Sequence, residues 1–328
     1  MNFMVKPEQD LWLNTMLLKA FMKNGFALKN GGKSWELTDL QYLSLTDDLA
    51  KGFLSFSENP NYRKQFFELE VQMIHQQARD IAEAIGEGDF NLIDIYCGNG
   101  LKAVEFIKAF NSQNNASVRI RYCPLNASQY LVDLATSNVK KAGFLNVVDY
   151  KPFLSSGDGR AIRPISKNLR TDGFDKNVVI ILGGVIACFD INEYLFELSR
   201  DLQSNDVLVM GNGIRVGERL VDISKYKNSI FHDWFKHLIL GLGFVESDVE
   251  FDARFDNSRV EFLYRFKTAR TKKAGKRTIE FKPGDELVVA ALYKYYAEEF
   301  DKFCKMYFAN AKIVTDKDNG YALVVCKK

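Results

Sequence analysis

Residues Leu92-Ile93-Asp94-Ile95-Tyr96-Cys97-Gly98-Asn99-Gly100-Leu101-Lys102 constrain this chain more than any other stretch. A short apolar run ends in an acid, passes through a Gly-x-Gly turn and enters a segment with helical spacing at Ala103, Val104, Phe106 and Ile107. The pattern predicts a buried strand, a tight turn and an amphipathic helix, the opening of a βαβ unit. Glycine lets a backbone approach a ligand where a side chain would stand in the way. No third glycine follows Gly100 at the spacing of a dinucleotide fingerprint, and Leu101-Lys102 stands there instead. That departure favours an adenosine-type ligand without a pyrophosphate, although such a turn is often only structural.

Further strands follow in order. Arg119 to Asn126 reads as a second strand ending in a polar residue, and Ser128 starts a helix with Leu131, Leu134 and Ala135 on its apolar side. Asn146-Val147-Val148-Asp149-Tyr150 is a third. Val178 to Gly184 is an almost uninterrupted apolar run ending in two glycines, as expected for the centre of a parallel sheet. Asp206 to Gly211 is a fifth strand. Ala311 to Thr315 and Tyr321 to Cys326 flank an Asn319-Gly320 turn and predict a closing hairpin. The fold expected is therefore α/β, a class I Rossmann-like methyltransferase sheet with a C-terminal antiparallel hairpin. S-adenosylmethionine (SAM) is the usual ligand of such a sheet.

From about Pro60 onward the chain resembles the SAM-dependent histidine-specific methyltransferase family, which includes the N-alpha-trimethylating enzyme of ergothioneine biosynthesis. The resemblance rests on Asp94-x-x-x-Gly98-x-x-x-Lys102, Tyr122-x-Pro124-Leu125-Asn126-Ala127-Ser128, Asp149-Tyr150 and Leu182-Gly183-Gly184-Val185-Ile186. Phe281-x-Pro283-Gly284-Asp285-Glu286 and, upstream, Pro60-Asn61-Tyr62 followed by Glu68 add to it. It implies SAM as cofactor, held by Asp94, Tyr96, Gly98, Gly100, Lys102, Asn126, Ser128, Asp149, Tyr150 and Gly183. Lys102 would neutralise the SAM carboxylate, its plainer reading being a solvated lysine in a first helical turn. Tyr62 and Tyr226 are similar in context to family tyrosines near the substrate amine, and are the expected catalytic residues.

The departures from the family pattern bear on the substrate. Tyr96 stands where the family has glycine, and Asn126 replaces the acid on the ribose. In the substrate pocket Cys188 replaces an asparagine, while Ala290 and Leu292 replace a Glu-x-Ser pair that holds imidazole. A site built to hydrogen-bond a polar substrate loses its preference when those groups go. Histidine is therefore not the expected acceptor; a larger, more apolar amine or amino-acid derivative fits better. The alternative is a catalytically inactive methyltransferase-fold protein serving binding or assembly.

Composition excludes several other classes. The 328 residues are 47% hydrophobic and 26% charged, ordinary for a globular chain with an ample core. A net charge of +2 gives no general pull toward nucleic acid or an anionic membrane. Five scattered cysteines without Cys-x-x-Cys spacing, and three histidines apart from them, indicate reduced thiols and no metal site. No apolar run reaches the length of a membrane span, and Met1 to Gly25 carries too many charges for a signal peptide. A cytoplasmic location is expected.

Three regions are anticipated: an N-terminal helical segment at 1–88, a SAM-binding domain at 89–215 and 284–328, and an inserted α+β lid at 216–283. Residues Gln9 to Lys23 and Tyr62 to Ile85 have helical periodicity. In the insertion, Ile230 to Leu242 is helical, and Arg259 to Phe266 alternates in a hairpin with Arg277 to Phe281. Lys267, Arg270, Lys272, Lys273, Lys276 and Arg277 crowd this basic hairpin, 267–277. They read first as a solvated turn, and second as a docking finger for an acidic protein or a nucleic acid, of which the sparse aromatic interleaving favours the protein partner.

Overall fold

The computed structural model describes residues 6–29, 31–155, 162–216, 221–274, 276–318 and 320–328. The chain forms two compact units, one of Ser57–Arg219 with Tyr293–Lys328, the other of Met1–Phe56 with Leu220–Leu292.

In the first unit eight strands make one sheet: β1 (Phe90–Ile95), β2 (Ile120–Asn126), β3 (Val147–Tyr150), β4 (Phe153–Leu154), β5 (Lys176–Ile181), β6 (Val207–Gly213), β7 (Asn310–Thr315) and β8 (Tyr321–Lys327). Their order is β7-β8-β6-β5-β1-β2-β3, with β4 alongside β2. The pairs from β6 to β3 are parallel, and β8 runs antiparallel to both β6 and β7. This is the Rossmann-like sheet with a C-terminal hairpin that the sequence predicts. Every residue of β1 and β2 is buried. Helices cover both faces of a parallel sheet, so its strands need no polar side. On one face Ile74, Ile81, Phe106, Ile107 and Val139 share a core with Leu92, Ile180 and Val209.

Strand order reverses between β1 and β5, and open α/β sheets bind ligands outside the carboxyl ends of the strands at such a point. The loops that follow these two strands, at Tyr96–Gly100 and Leu182–Gly184, flank that point.

The region anticipated as one helix over Tyr62 to Ile85 is interrupted. Pro60–Tyr62 is helical, Arg63–Phe67 is a wider π-helical turn, Glu68–Gln76 is α-helical, and Ala78–Ile85 follows a break at Gln77. Isolated π turns occur often at functional sites. The closing hairpin spans a longer loop than a two-residue turn: Asp316 accepts Tyr321 N–H at 2.9 Å and donates its own N–H to Tyr321 O at 3.0 Å. Asn319 of the anticipated turn lies outside the described residues, as does Gly217 at the start of the anticipated lid.

The second unit is α+β. Its five-stranded sheet runs Phe26–Lys29, Gly32–Glu36, Glu286–Tyr293, Arg259–Phe266, Val249–Asp256, with helices Lys6–Asn24 and Ser229–Gly241. Its core is aromatic: Phe21 meets Trp35 edge-on at 5.6 Å, and Phe266 stacks on Phe281 at 4.6 Å. The anticipated hairpin needs correction. Arg259–Phe266 pairs with Val249–Asp256, and Arg277–Phe281 pairs with Arg270–Ala274. Asn257 and Ser258 connect the former pair, both at positive φ (48° and 63°). That is the signature of a type I′ turn, normally announced by a glycine that this chain lacks. Among the described residues no helix is long and apolar enough to cross a membrane.

Candidate functional site

The turn after β1 is shaped by three left-handed residues. Tyr96 (φ 54°), Gly98 (φ 53°) and Gly100 (φ 74°) bend the chain from β1 into the helix Leu101–Phe110. Gly100 has a packing reason to be glycine: a Cβ there would stand 2.7 Å from Ala135 Cα and 2.9 Å from Ala135 O. Tyr96 is half-buried, its ring tilted on Phe189 at 6.0 Å, and Phe189 stacks nearly flat on Tyr194 at 4.5 Å. An aromatic file thus runs from the glycine turn to the segment that follows β5.

Beneath the turn lies a buried polar cluster. Glu70, on the helix Glu68–Gln76, is fully buried. Its carboxylate accepts the Lys102 ammonium, the Tyr321 hydroxyl at 2.7 Å and the Gly183 N–H, at 2.9 Å from each oxygen. Gly183 has φ 87°, and a Cβ on it would come within 2.8 Å of Lys102 Nζ. Lys102 also lies 5.8 Å from the Phe67 ring. Asp94, at 4% exposure, accepts the Tyr122 hydroxyl at 2.8 Å. The helix Glu68–Gln76, the first helical turn after β1, the loop after β5 and β8 thus converge on a single carboxylate.

Burial dominates the electrostatics here. It pushes the Asp94 carboxyl up to about 7, against the opposing pull of the Tyr122 hydrogen bond and the Lys102 charge. It would lower the Lys102 ammonium, but the Glu70 charge and hydrogen bond outweigh it and the net shift is upward. Burial also raises the Tyr62 phenol; nearby Lys102 opposes this and Glu70 adds to it. Tyr62 is therefore an un-ionised phenol at neutral pH, within electrostatic reach of the pair. Its ring stacks on Phe66 at 5.4 Å.

The other anticipated cofactor residues stand at the ends of β2 and β3. Asn126 Oδ1 accepts Ser128 N–H at 3.0 Å, and Ser128 Oγ caps the next helix by accepting Leu131 N–H at 3.4 Å. Asp149 is committed to its own unit: it accepts the buried Arg121 guanidinium at 2.8 Å and Tyr150 N–H at 2.8 Å. Lys140 lies over the Tyr150 ring at 4.8 Å.

A family model described as "Histidine-specific methyltransferase, SAM-dependent" matches residues 51–328. The chain belongs to the SAM-dependent histidine-specific methyltransferase family. Solved structures resemble it at low identity. DesVI from Streptomyces venezuelae is 15% identical, with a TM-score of 0.38, over 77% of this chain and 91% of that one. The sugar N-methyltransferase KedS8 from Streptoalloteichus is 15% identical, TM-score 0.36, over 82% and 91%. A putative methyltransferase from Thermobifida fusca is 10% identical, TM-score 0.44, over 88% and 97%. No curated protein matches the chain significantly.

As a member of this family the protein uses SAM as cofactor. The anticipated substrate residues are divided between the units. Cys188 is half-buried in the short helix Val185–Cys188 of the first unit. Burial pushes its thiol up to about 12 despite Lys294, so it is no thiolate nucleophile. Tyr62 is also in the first unit. Tyr226, Ala290 and Leu292 belong to the second, where the Tyr226 ring packs on Phe262 at 5.9 Å and Phe231 at 6.2 Å. In the basic hairpin, Arg270 pairs with Asp248, and Lys272 bonds Gly243 O and lies 4.5 Å over Phe244. Those two cations serve their own unit. Sequence reasoning missed Glu70 and Tyr321. For Glu70 a signal existed: an acid at the head of the stripe Ile74, Ala78, Ile81 and Ile85 falls on the face its helix buries.

Proposed function

We propose that the chain is an active SAM-dependent N-methyltransferase whose acceptor is a small, rather apolar amine or amino-acid derivative other than histidine. The observation that carries this reading is the buried Glu70–Lys102 pair beside Gly183 at the switch-point crevice. Taking two charges out of water is expensive, and apolar residues of the same size would stabilise the fold at least as well. Shifted groups such as Lys102 and Asp94, gathered at one point, are candidates for a functional site.

In this reading Lys102 faces the carboxylate of SAM, and Gly98 and Gly183 give its amino-acid end room beside the backbone. Asn126 and Ser128 stand at the ribose, and Tyr150 at the adenine, with Asp149 held back by Arg121. Bound SAM supplies a methyl group already activated on a sulfonium. The residues then have to position a neutral amine in line and exclude water. The un-ionised Tyr62 phenol can accept an N–H of that amine and orient its lone pair. Cys188 offers an imidazole little to bond with where the family pattern has an asparagine, so at that position a polar side chain gains nothing over an apolar one.

Calorimetric titration with SAM and S-adenosylhomocysteine (SAH), followed by a panel of amines that includes histidine, tests the reading. Micromolar cofactor binding, about −8 kcal/mol, with turnover of an apolar amine in preference to histidine is expected. The second reading, a methyltransferase-fold binding protein that does not catalyse, is favoured by the Tyr96 ring in the glycine turn. Absence of SAH binding at millimolar ligand supports it and sinks the first.

A further inference from the structure

We infer that Glu70 is a positioning residue for the amino-acid end of the cofactor, acting through Lys102 and Gly183. The inference rests on the proposed cofactor placement above.

Glu70 is fully buried, so it touches no ligand itself. Three donors of different origin converge on it: the Lys102 ammonium, the Tyr321 hydroxyl and the Gly183 N–H. Only a group with several acceptor sites and no donor satisfies all three, which a carboxylate does and a glutamine amide does not. Two glycines on different elements are shaped around the pair. A Cβ on Gly211 would come within 1.8 Å of Glu70 Oε1, and one on Gly183 within 2.8 Å of Lys102 Nζ. The cluster is thus built into β6 and into the loop after β5, not only into the helix that carries Glu70. Lys102 keeps 17% of its side chain exposed and is the member through which Glu70 can reach a ligand. By holding one N–H of the ammonium and the Gly183 N–H together, Glu70 fixes a cation and a backbone turn in register. Supporting residues of this kind hold a site to the tolerance that recognition needs.

The test compares two ligands that share the adenosine and differ in the amino-acid chain: SAH and 5′-methylthioadenosine. In Glu70→Gln, SAH affinity is expected to fall about tenfold, the worth of one charge-assisted hydrogen bond. Methylthioadenosine affinity should stay within about twofold by the same standard. A purely structural role would weaken both ligands alike, and that outcome overturns the inference. So does an unchanged or increased preference for SAH. Should Glu70→Gln fail to fold, Glu70→Asp keeps the charge, withdraws it by one methylene and is read by the same ratio. If the unaltered protein binds neither ligand, the cofactor placement itself fails and the inference with it. If it binds SAH and the variants keep the ratio, only the role of Glu70 is lost.

Discussion

The Glu70 carboxylate lies in the space that a side chain at position 211 would fill: a Cβ on Gly211 would sit 1.8 Å from Glu70 Oε1 and 2.7 Å from the Tyr321 hydroxyl. Glycine in the middle of a strand loses backbone entropy and packs nothing, so it needs such a reason. Gly211→Ala must displace a buried, charged hydrogen-bond acceptor. Overpacking costs typically 1–3 kcal/mol, and breaking a buried pair adds to it. A loss of about 3 kcal/mol or more is expected in denaturant unfolding. A loss of only a few tenths would show that Glu70 can move aside freely.

Tyr96 carries a bulky side chain at φ 54°, a conformation that costs an L-residue roughly 1–2 kcal/mol. Tyr96→Gly and Tyr96→Ala both remove the ring and its contact with Phe189, but only glycine relieves the backbone. The glycine variant should therefore be more stable than the alanine variant by about 1 kcal/mol. Equal stability would mean that the turn carries no strain. The same pair of variants, titrated with SAH, reads whether the ring hinders the cofactor: tighter binding by both than by the unaltered protein would show that it does.

Much of the first unit was legible because parallel strands announce themselves as apolar runs and glycine turns as breaks between them. Val178 to Ile181 and Leu92 to Ile95 are of this kind. The hairpins of the second unit were less legible. Asn257-Ser258 turns the chain without the glycine that usually marks a type I′ turn, so Arg259–Phe266 was assigned the wrong partner. At the site, Lys102 and the glycines were visible as a local motif. Glu70 and Tyr321 were not, because they reach the motif from 32 and 219 residues away in sequence, distances that local spacing cannot report. Asp149 was legible as a residue but not as a bond, since its partner Arg121 looked like one more strand position.

The second unit has its own buried acid. Glu261 is fully buried on Arg259–Phe266, directly across from Arg254, which donates to it at 2.7 Å; Arg259 donates at 2.6 Å, and Lys29 lies 3.5 Å away. Arg259 also bonds Glu36 at 2.6 Å, and Arg254 bonds Glu286, so with Lys29 the network joins all five strands of this sheet. Removing one member of a buried pair costs roughly 3–5 kcal/mol because the other charges stay behind. Glu261→Gln is expected to lower stability by about that amount. Because Glu261 itself is fully buried, raising salt to about 1 M should recover little of it. A variant within about 0.5 kcal/mol of the unaltered protein would place these ion pairs with exposed ones.

Asp94 makes a pH-dependent contribution whose sign follows from burial. Its carboxyl is pushed from an ordinary 3.8 up to about 7, so between those values the folded state holds a proton that the unfolded state releases. Stability from this group is complete below about 4 and is lost as pH rises through about 7. With about 1.4 kcal/mol per pKa unit, the loss between pH 4 and pH 8 is on the order of 4 kcal/mol. Asp94→Asn removes the titration while leaving an oxygen to accept the Tyr122 hydroxyl. Compared at each pH, the asparagine variant should gain stability over the unaltered protein from about pH 4 to about pH 7 and level off above that. Parallel pH profiles for the two proteins would mean that Asp94 is ionised in the fold throughout, the Lys102 charge outweighing its burial.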